Sequence, residues 1–347
     1  MAKSQSCRTR IATALVALAW FACSWPASGF AQETNDALSK ARSLLQQGKN
    51  REAIEWLKSI GAKQPEAQGV NHELGVAYYR EGEYLEASNY LRRASEENKD
   101  DRDAVQLLGL AYYFSGRPIE AIPPLEKVRS WRPNANIDAA YILGICYAMA
   151  GRYAEARNIF AQMYAVNPDS AAAHLLTARM LLRQGLDPVA ESEALTALRI
   201  TPQLPLAHLT LGELSVYGGD YPKAAQEFES ELAVNPTCAE ALAHLGDVSW
   251  RLNRDEDSRK LLLRSISLDD VSVEPYVTLG KVLLRQGEFA LAEQDLYHAI
   301  RLEPGNYTAH YVLGQLYRDQ GRLDEARREL AAAARIQQAP GANVGRN

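Results

Sequence analysis

A small residue returns along this chain with near-constant spacing, at Ala41, Gly75, Gly109, Gly144, Ala178, Gly212, Gly246, Gly280 and Gly314. Every interval is thirty-four residues except that from Gly109 to Gly144, which is thirty-five. A fixed period of this length describes stacked supersecondary units, each too small to bury its apolar face alone, so stability comes from contacts between neighbours. The 347 residues are 47% hydrophobic and 23% charged, enough apolar material for a long shared core and unlike the composition of a disordered chain. Length alone would argue for two domains, but regular repetition overrides that prior and the array reads as one body.

One period shows what the unit is. From Val273 to Gln286, apolar residues stand at Tyr276, Leu279, Val282 and Leu283; after Gly287 they resume at Phe289, Ala292, Leu296 and Ala299, and Pro304 closes the unit. Spacings of three and four mark two amphipathic helices. Gly287 falls where the first helix must end, a position that favours a residue able to adopt the left-handed conformation. Each unit is therefore a helix hairpin. The internal glycine, Gly280 here, costs about 1 kcal/mol relative to alanine inside a helix, so its recurrence requires a close approach of the two helices. The expected facing residue is the small one that also recurs, at Ala53, Ala87, Ala121, Ala156, Ala190, Ala224, Ser258, Ala292 and Ala326.

These residues carry a resemblance to the tetratricopeptide repeat. Residues 68–101 show Leu74-Gly75, Tyr78, Gly82, Tyr84, Ala87, Leu91 and Ala94, and residues 137–170 show Leu143-Gly144, Tyr147, Gly151, Tyr153, Ala156, Phe160 and Pro168. The resemblance spans about residues 34–338 and implies an all-α fold, a right-handed superhelical α-solenoid of about nine helix-turn-helix units. In register they begin near Thr34, Gln68, Arg102, Ile137, Ala171, Pro205, Ala239, Val273 and Tyr307, and six close on Pro65, Pro133, Pro168, Pro202, Pro236 and Pro304. The seventh departs most, with Asn253 for the turn glycine and Ser258 for the alanine; asparagine tolerates the same backbone region. Pro123-Pro124 falls inside the second helix of the third unit. An interior proline removes a helical hydrogen bond, which predicts a kinked helix or a shortened one.

Residues 1–31 read as a cleaved signal peptide: Lys3, Arg8 and Arg10 precede an apolar stretch, Ile11 to Ala22, and small residues lead to Ala31. The stretch is shorter than the roughly 20 residues a membrane span needs. An exported, periplasmic or secreted protein with no transmembrane segment in its mature chain is the expectation. Lipid anchoring through Cys23 is disfavoured, because Trp20, Phe21 and Ala22 precede it where a lipobox has leucine and small residues. Cleavage removes three cations and no acid, taking the formal charge from −5 to −8, and an acidic chain makes a poor partner for nucleic acid. Of the four cysteines, Cys146 and Cys238 remain, too far apart in such an array to bridge, and both read as small buried hydrophobes. A short tail, residues 339–347, follows the last unit and reads as disordered.

Catalytic constellations are missing: the sequence has no HExxH, CxxC, GxSxG, phosphate-binding glycine loop ending in Gly-Lys-Ser/Thr, or dinucleotide fingerprint. Neither a cofactor nor a metal is expected. Asp255-Glu256-Asp257 complements the dipole at a helix start. His174, His208 and His310 occupy a core position of the unit, His72 and His244 map to the groove side five units apart, and His298 lies on a second helix; no pair of histidines has ligand spacing.

The resemblance further implies that first helices line a concave face through the second, fifth, sixth, ninth, twelfth and thirteenth positions of each unit. On this chain units two to four present Tyr79, Arg80, Tyr113, Phe114, Tyr141, Ile145 and Met149. Units five to eight present Arg179, Arg183, Glu213, Tyr217, Asp247, Trp250, Arg251, Lys281 and Arg285. Tyrosine, tryptophan and arginine commonly carry interface energy. The competing reading is structural: Arg80, Arg183, Arg251 and Arg285 stand in the last turn of their helices, where a cation stabilises the dipole without any partner, and Tyr113, Phe114 and Met149 can pack on an adjacent unit. The Lys/Asn clamp by which some family members hold a C-terminal carboxylate is absent, its positions being Leu38/Arg42, His72/Val76 and Gln106/Leu110. The functional expectation is a non-catalytic exported scaffold for a protein or peptide of the cell envelope; the alternatives are an envelope-polysaccharide binder and a regulator of a separately encoded enzyme.

Overall fold

The computed structural model describes residues 27–64, 67–131 and 137–338. Most of the segment expected to be a signal peptide, with Cys23, the connections at 65–66 and 132–136, and residues 339–347 lie outside the described residues. The described part is helical and contains no strand. It divides into two compact bodies, Met1–Trp131 and Arg132–Asn347. The division falls within the one thirty-five-residue interval of the repeat.

The first body holds α1 (Ala27–Gln46), α2 (Asn50–Lys63), α3 (Val70–Arg80), α4 (Tyr84–Glu97), α5 (Arg102–Phe114) and α6 (Pro118–Trp131). In the second, α7 (Ile137–Met149), α8 (Tyr153–Met163), α9 (Ala171–Arg183), α10 (Asp187–Ile200), α11 (Ala207–Tyr217) and α12 (Tyr221–Val234) are followed by six more helices. These are α13 (Ala239–Arg251), α14 (Asp255–Leu268), α15 (Val273–Gln286), α16 (Phe289–Leu302), α17 (Tyr307–Asp319) and α18 (Leu323–Gln338). Within each body, every odd-numbered helix packs on the even one after it and on the next odd one, whereas neighbouring even-numbered helices meet through long charged side chains, as Arg157 of α8 meets Glu193 of α10 and Lys223 of α12 meets Glu191 of α10. The odd helices are therefore the more closely spaced layer, and the face they form lies on the inside of each body's curve.

Helix geometry follows the residues. Asn253, standing for glycine, adopts φ 59°, beside φ 79° at Gly287, so the side chain most tolerant of the left-handed region keeps the turn. α6 runs unbroken over fourteen residues with Pro123 and Pro124 inside, so the shortened helix is not what forms. The two carbonyls left without donors belong to Ile119 and Glu120, both exposed residues that water can reach.

The reason for the recurrent glycine differs from the one expected. A Cβ on Gly75, Gly109, Gly246, Gly280 or Gly314 would lie within 2.5–2.7 Å of the leucine sixteen residues on, and at Gly144 and Gly212 within 2.4 Å of Phe160 and Phe228. What the missing side chain makes room for is this large second-helix residue and not the recurrent alanine. The alanines are themselves sealed: Ala87, Ala121, Ala156, Ala190, Ala224 and Ala292 have no exposed surface. Sequence carries the same logic in reverse, since Ala178 replaces the glycine in the unit where its counterpart is Ala194.

Candidate functional site

In the first body, the last turns of α3 and α5 and the first turn of α4 bring four aromatic rings together. Tyr84 stacks on Phe114 with centroids 5.0 Å apart, and Tyr79 meets both edge-on, at 5.4 Å and 6.4 Å. Tyr113 packs edge-on against Phe114 at 5.2 Å. Edge and offset contacts of this kind hold rings in place, yet Phe114 keeps 47% of its surface exposed. Burial raises the Tyr79 phenol above its usual range, with a smaller contribution from Tyr84. Tyr84 is the member that sequence reading passed over as a family marker; its place at the start of α4, just after the turn from α3, was the available signal.

The second body treats its predicted groove residues unevenly. Ile145 is fully buried and does not line an open surface. α7 carries one charged residue, Asp138, and its run from Leu143 to Ala148 is buried; α9 packs against this helix. Tyr141 is half-buried and tilts against Phe160 at 6.2 Å. Met149 and Tyr217 remain exposed, at 50% and 43%.

Several of the predicted cations serve the scaffold. Arg80 Nη1 donates to the Leu45 carbonyl at 2.7 Å, and Arg285 Nη2 to the Trp250 carbonyl at 2.9 Å. Each thus caps the C-terminal end of the preceding first helix, thirty-five residues back, and not its own helix. Arg285 also binds Asn253 Oδ1 at 3.0 Å and pairs with Asp255. Arg251 pairs with Asp247 at 2.6 Å and reaches the Tyr221 hydroxyl at 3.2 Å. Arg183 is exposed. Around Trp250, Lys281 Nζ and the Arg285 guanidinium lie 5.1 Å and 5.3 Å from the ring centroid, within cation–π range. Burial holds the Lys281 ammonium below the usual lysine range.

The histidines divide into two groups. His174, His208 and His310 accept or donate at Nδ1 with Glu193, Glu227 and Glu329, at 2.6, 2.8 and 2.6 Å. They are core or half-buried, as expected. The three pairs share one spacing of nineteen residues, a regularity visible in the sequence that links first to second helix in each unit. His244 is different. Its Nε2 lies 3.6 Å from Glu213 Oε1, its ring stacks on Phe228 at 5.3 Å, and Glu240 joins them so that the three ligand-type atoms lie within 4.8 Å of one another. Burial raises the Glu213 carboxyl to about 7, with Glu240 adding to the rise and Arg179 opposing it; burial likewise holds the His244 imidazole below its usual value. A search confined to pairs of histidines missed this group, although Glu240 and His244 stand one turn apart on α13.

Two family models, both described as tetratricopeptide repeat, match the chain. One covers residues 44–111, 115–180 and 148–214, the other 209–271 and 277–343. The chain belongs to the tetratricopeptide-repeat superfamily. Among solved structures, the array is similar to MamA (24% identity, 46% of this chain and 94% of that one, TM-score 0.41). It is also similar to YrrB, described as a tetratricopeptide protein with an unusual peptide-binding site (22%, 53% and 93%, 0.43). A third is pilF of Pseudomonas aeruginosa (18%, 59% and 94%, 0.47). No curated protein sequence matches the chain. Tetratricopeptide arrays act as protein-interaction scaffolds, and among the described residues no helix is long and apolar enough to cross a membrane.

Proposed function

We propose that the chain is a non-catalytic scaffold that takes an extended protein segment on the odd-helix face of its arrays, and that it works outside the cytoplasm on a partner of the cell envelope. The observation that carries this reading is the cluster of Tyr79, Tyr84, Tyr113 and Phe114, whose rings are fixed by one another while Phe114 stays 47% exposed. A preorganised aromatic surface loses little conformational freedom when a partner side chain inserts. The Lys3, Arg8 and Arg10 cluster ahead of Ile11 to Ala22 supports export.

The test uses the full chain as bait against an envelope extract, beside a Phe114→Ala/Tyr113→Ala variant. A protein recovered by the first and lost by the second supports the reading. Recovery by both would move the site elsewhere, and binding of soluble polysaccharide without any protein would replace the peptide partner with the glycan alternative. Secretion of a reporter fused to residues 1–31 tests export; retention in the cytoplasm would refute it.

A further inference from the structure

Carboxylates on the packed faces of the second body are mostly neutralised. Glu193 meets Arg157 and His174, Glu227 meets His208, Asp247 meets Arg251, and Glu293 meets Arg322. Glu231, fully buried, accepts two backbone N–H groups at the start of α11. Glu213 on α11 and Glu240 on α13 break this pattern. Among the described residues, no lysine or arginine lies within ion-pair distance of either, and the basic group that comes within 4 Å of Glu213 is His244 at 3.6 Å, too far for a hydrogen bond. Arg179 and Arg183 lie close enough to act on Glu213 through space, yet neither comes within ion-pair distance of it, and the buried Nη1 of Arg179 has no hydrogen-bond partner. Two carboxylates with no cation bonded to either, converging on an imidazole nitrogen, are an arrangement that can take a positive charge between them.

The ligand-type atoms fit a small dication better than an organic cation. A lysine or arginine would use only the carboxylates, whereas the imidazole nitrogen offers a lone pair that suits a transition-type metal. Glu240 and His244, four residues apart, project from one face of α13. Glu213 comes from α11, which packs directly against α13. The ring of His244 lies nearly parallel to that of Phe228, with 15° between planes, and Phe228 is fully buried, so the imidazole rests on a fixed platform. Metal bonds of about 2.0–2.2 Å place tetrahedral ligand atoms roughly 3.4 Å apart. The observed spacing of at most 4.8 Å closes to this by rotation of two flexible glutamates, one of them, Glu240, exposed.

We propose that Glu213, Glu240 and His244 form a binding site for a divalent metal ion of the zinc class, between the first helices of the sixth and seventh units. Three protein ligands leave a coordination position for water or for a group brought by a partner. Nothing in the site depends on the aromatic cluster of the first body.

The experiment is a Co2+ titration of the full chain carrying no polyhistidine tag, read by the visible absorption of bound cobalt, with Zn2+ as competitor. The expected result is one site per chain, bleached by Zn2+. His244→Asn should abolish the band, and Glu240→Gln should weaken binding by more than the roughly tenfold that loss of an outer-shell partner costs. Far-UV circular dichroism shows whether each variant is folded, and Glu240→Gln, an exposed change, secures the test should His244→Asn misfold. Absence of a cobalt band in the wild type overturns the proposal, as does a band that both variants retain at undiminished affinity. Phe114→Ala should leave cobalt binding untouched, so loss of the peptide reading and loss of the metal site give separate signatures.

Discussion

Gly212→Ala is the substitution that most sharply tests how the hairpins are held. The added Cβ would meet Phe228 Cε1 at 2.4 Å, Cδ1 at 2.6 Å and Cζ at 2.8 Å, more than about 1 Å inside ordinary carbon contact. The ring cannot turn aside, because Phe228 is fully buried among Leu209, Ala224, Ala225, Cys238, Ala241, Leu245 and Val248. Overpacking of this kind costs about 1–3 kcal/mol, while alanine gains up to about 1 kcal/mol over glycine in a helix. The large overlap puts the expected net loss at roughly 1–2 kcal/mol. Gly218→Ala is the control: its new Cβ would find nothing closer than 3.5 Å, and it should stabilise by about 0.4–1 kcal/mol. Urea unfolding followed by circular dichroism measures both. In a Phe228→Ala background the overlap disappears, and Gly212→Ala should change sign to stabilising, as the native Ala178/Ala194 combination implies. A Gly212→Ala effect equal in sign to that of Gly218→Ala, or unchanged when Phe228 is truncated, would refute the packing argument.

Burial raises Asp295 to about 6 from its ordinary 3.8, so the folded state binds a proton more tightly than the unfolded one. Stability from this group falls as pH rises from about 4 to about 6, by up to roughly 3 kcal/mol; Asp295→Asn should stabilise at pH 7.5 and not at pH 3.5, and an equal effect at both pH values would exclude the burial cause. Glu231→Ala strips the acceptor from the backbone N–H groups of Leu206 and Leu209, at 2.8 and 3.3 Å. It should cost about 1–3 kcal/mol with faster hydrogen exchange at the start of α11, which unchanged exchange would contradict. The Cys146 thiol, pushed by burial up to about 12, should resist iodoacetamide at pH 8 until urea unfolds the chain; rapid labelling of the native protein would show that it is not sealed. Arg285→Ala, which uncaps the Trp250 carbonyl and frees Asp255, should lower stability by about 1 kcal/mol, checked by the same urea assay.

The repeat, the hairpin and the turn were legible from residues alone, because each depends on local rules. Spacings of three and four specify helices, and a residue tolerant of the left-handed region marks the turn, so Asn253 could be read correctly in place of a glycine. The three His–Glu pairs were legible too in principle, since their nineteen-residue spacing recurs. The partner of the glycines was not. Period alone places the recurrent alanine and the leucine or phenylalanine equally well opposite Gly212, and only the packed distance shows that the larger one occupies the space. The candidate face was half legible: positions could be assigned to it, but whether an arginine there is free or paired depends on its neighbour. Arg80 and Arg285 reach thirty-five residues back to cap another helix, a destination no single unit reveals. Ile145 was misassigned for a related reason, as position in the repeat does not show that the side chain is fully buried.

What the sequence determined by itself is therefore the all-helical repeat and its turns, because these arise within one period from backbone propensity and the apolar stripe. The tertiary structure decided which inward residues are buried, which charges are neutralised, and that Glu213, Glu240 and His244 converge, because those outcomes depend on side chains from adjacent units meeting across helices. A one-dimensional pattern fixes where each residue sits in its own hairpin, and the free energy of burying or pairing it is set by the hairpin next door.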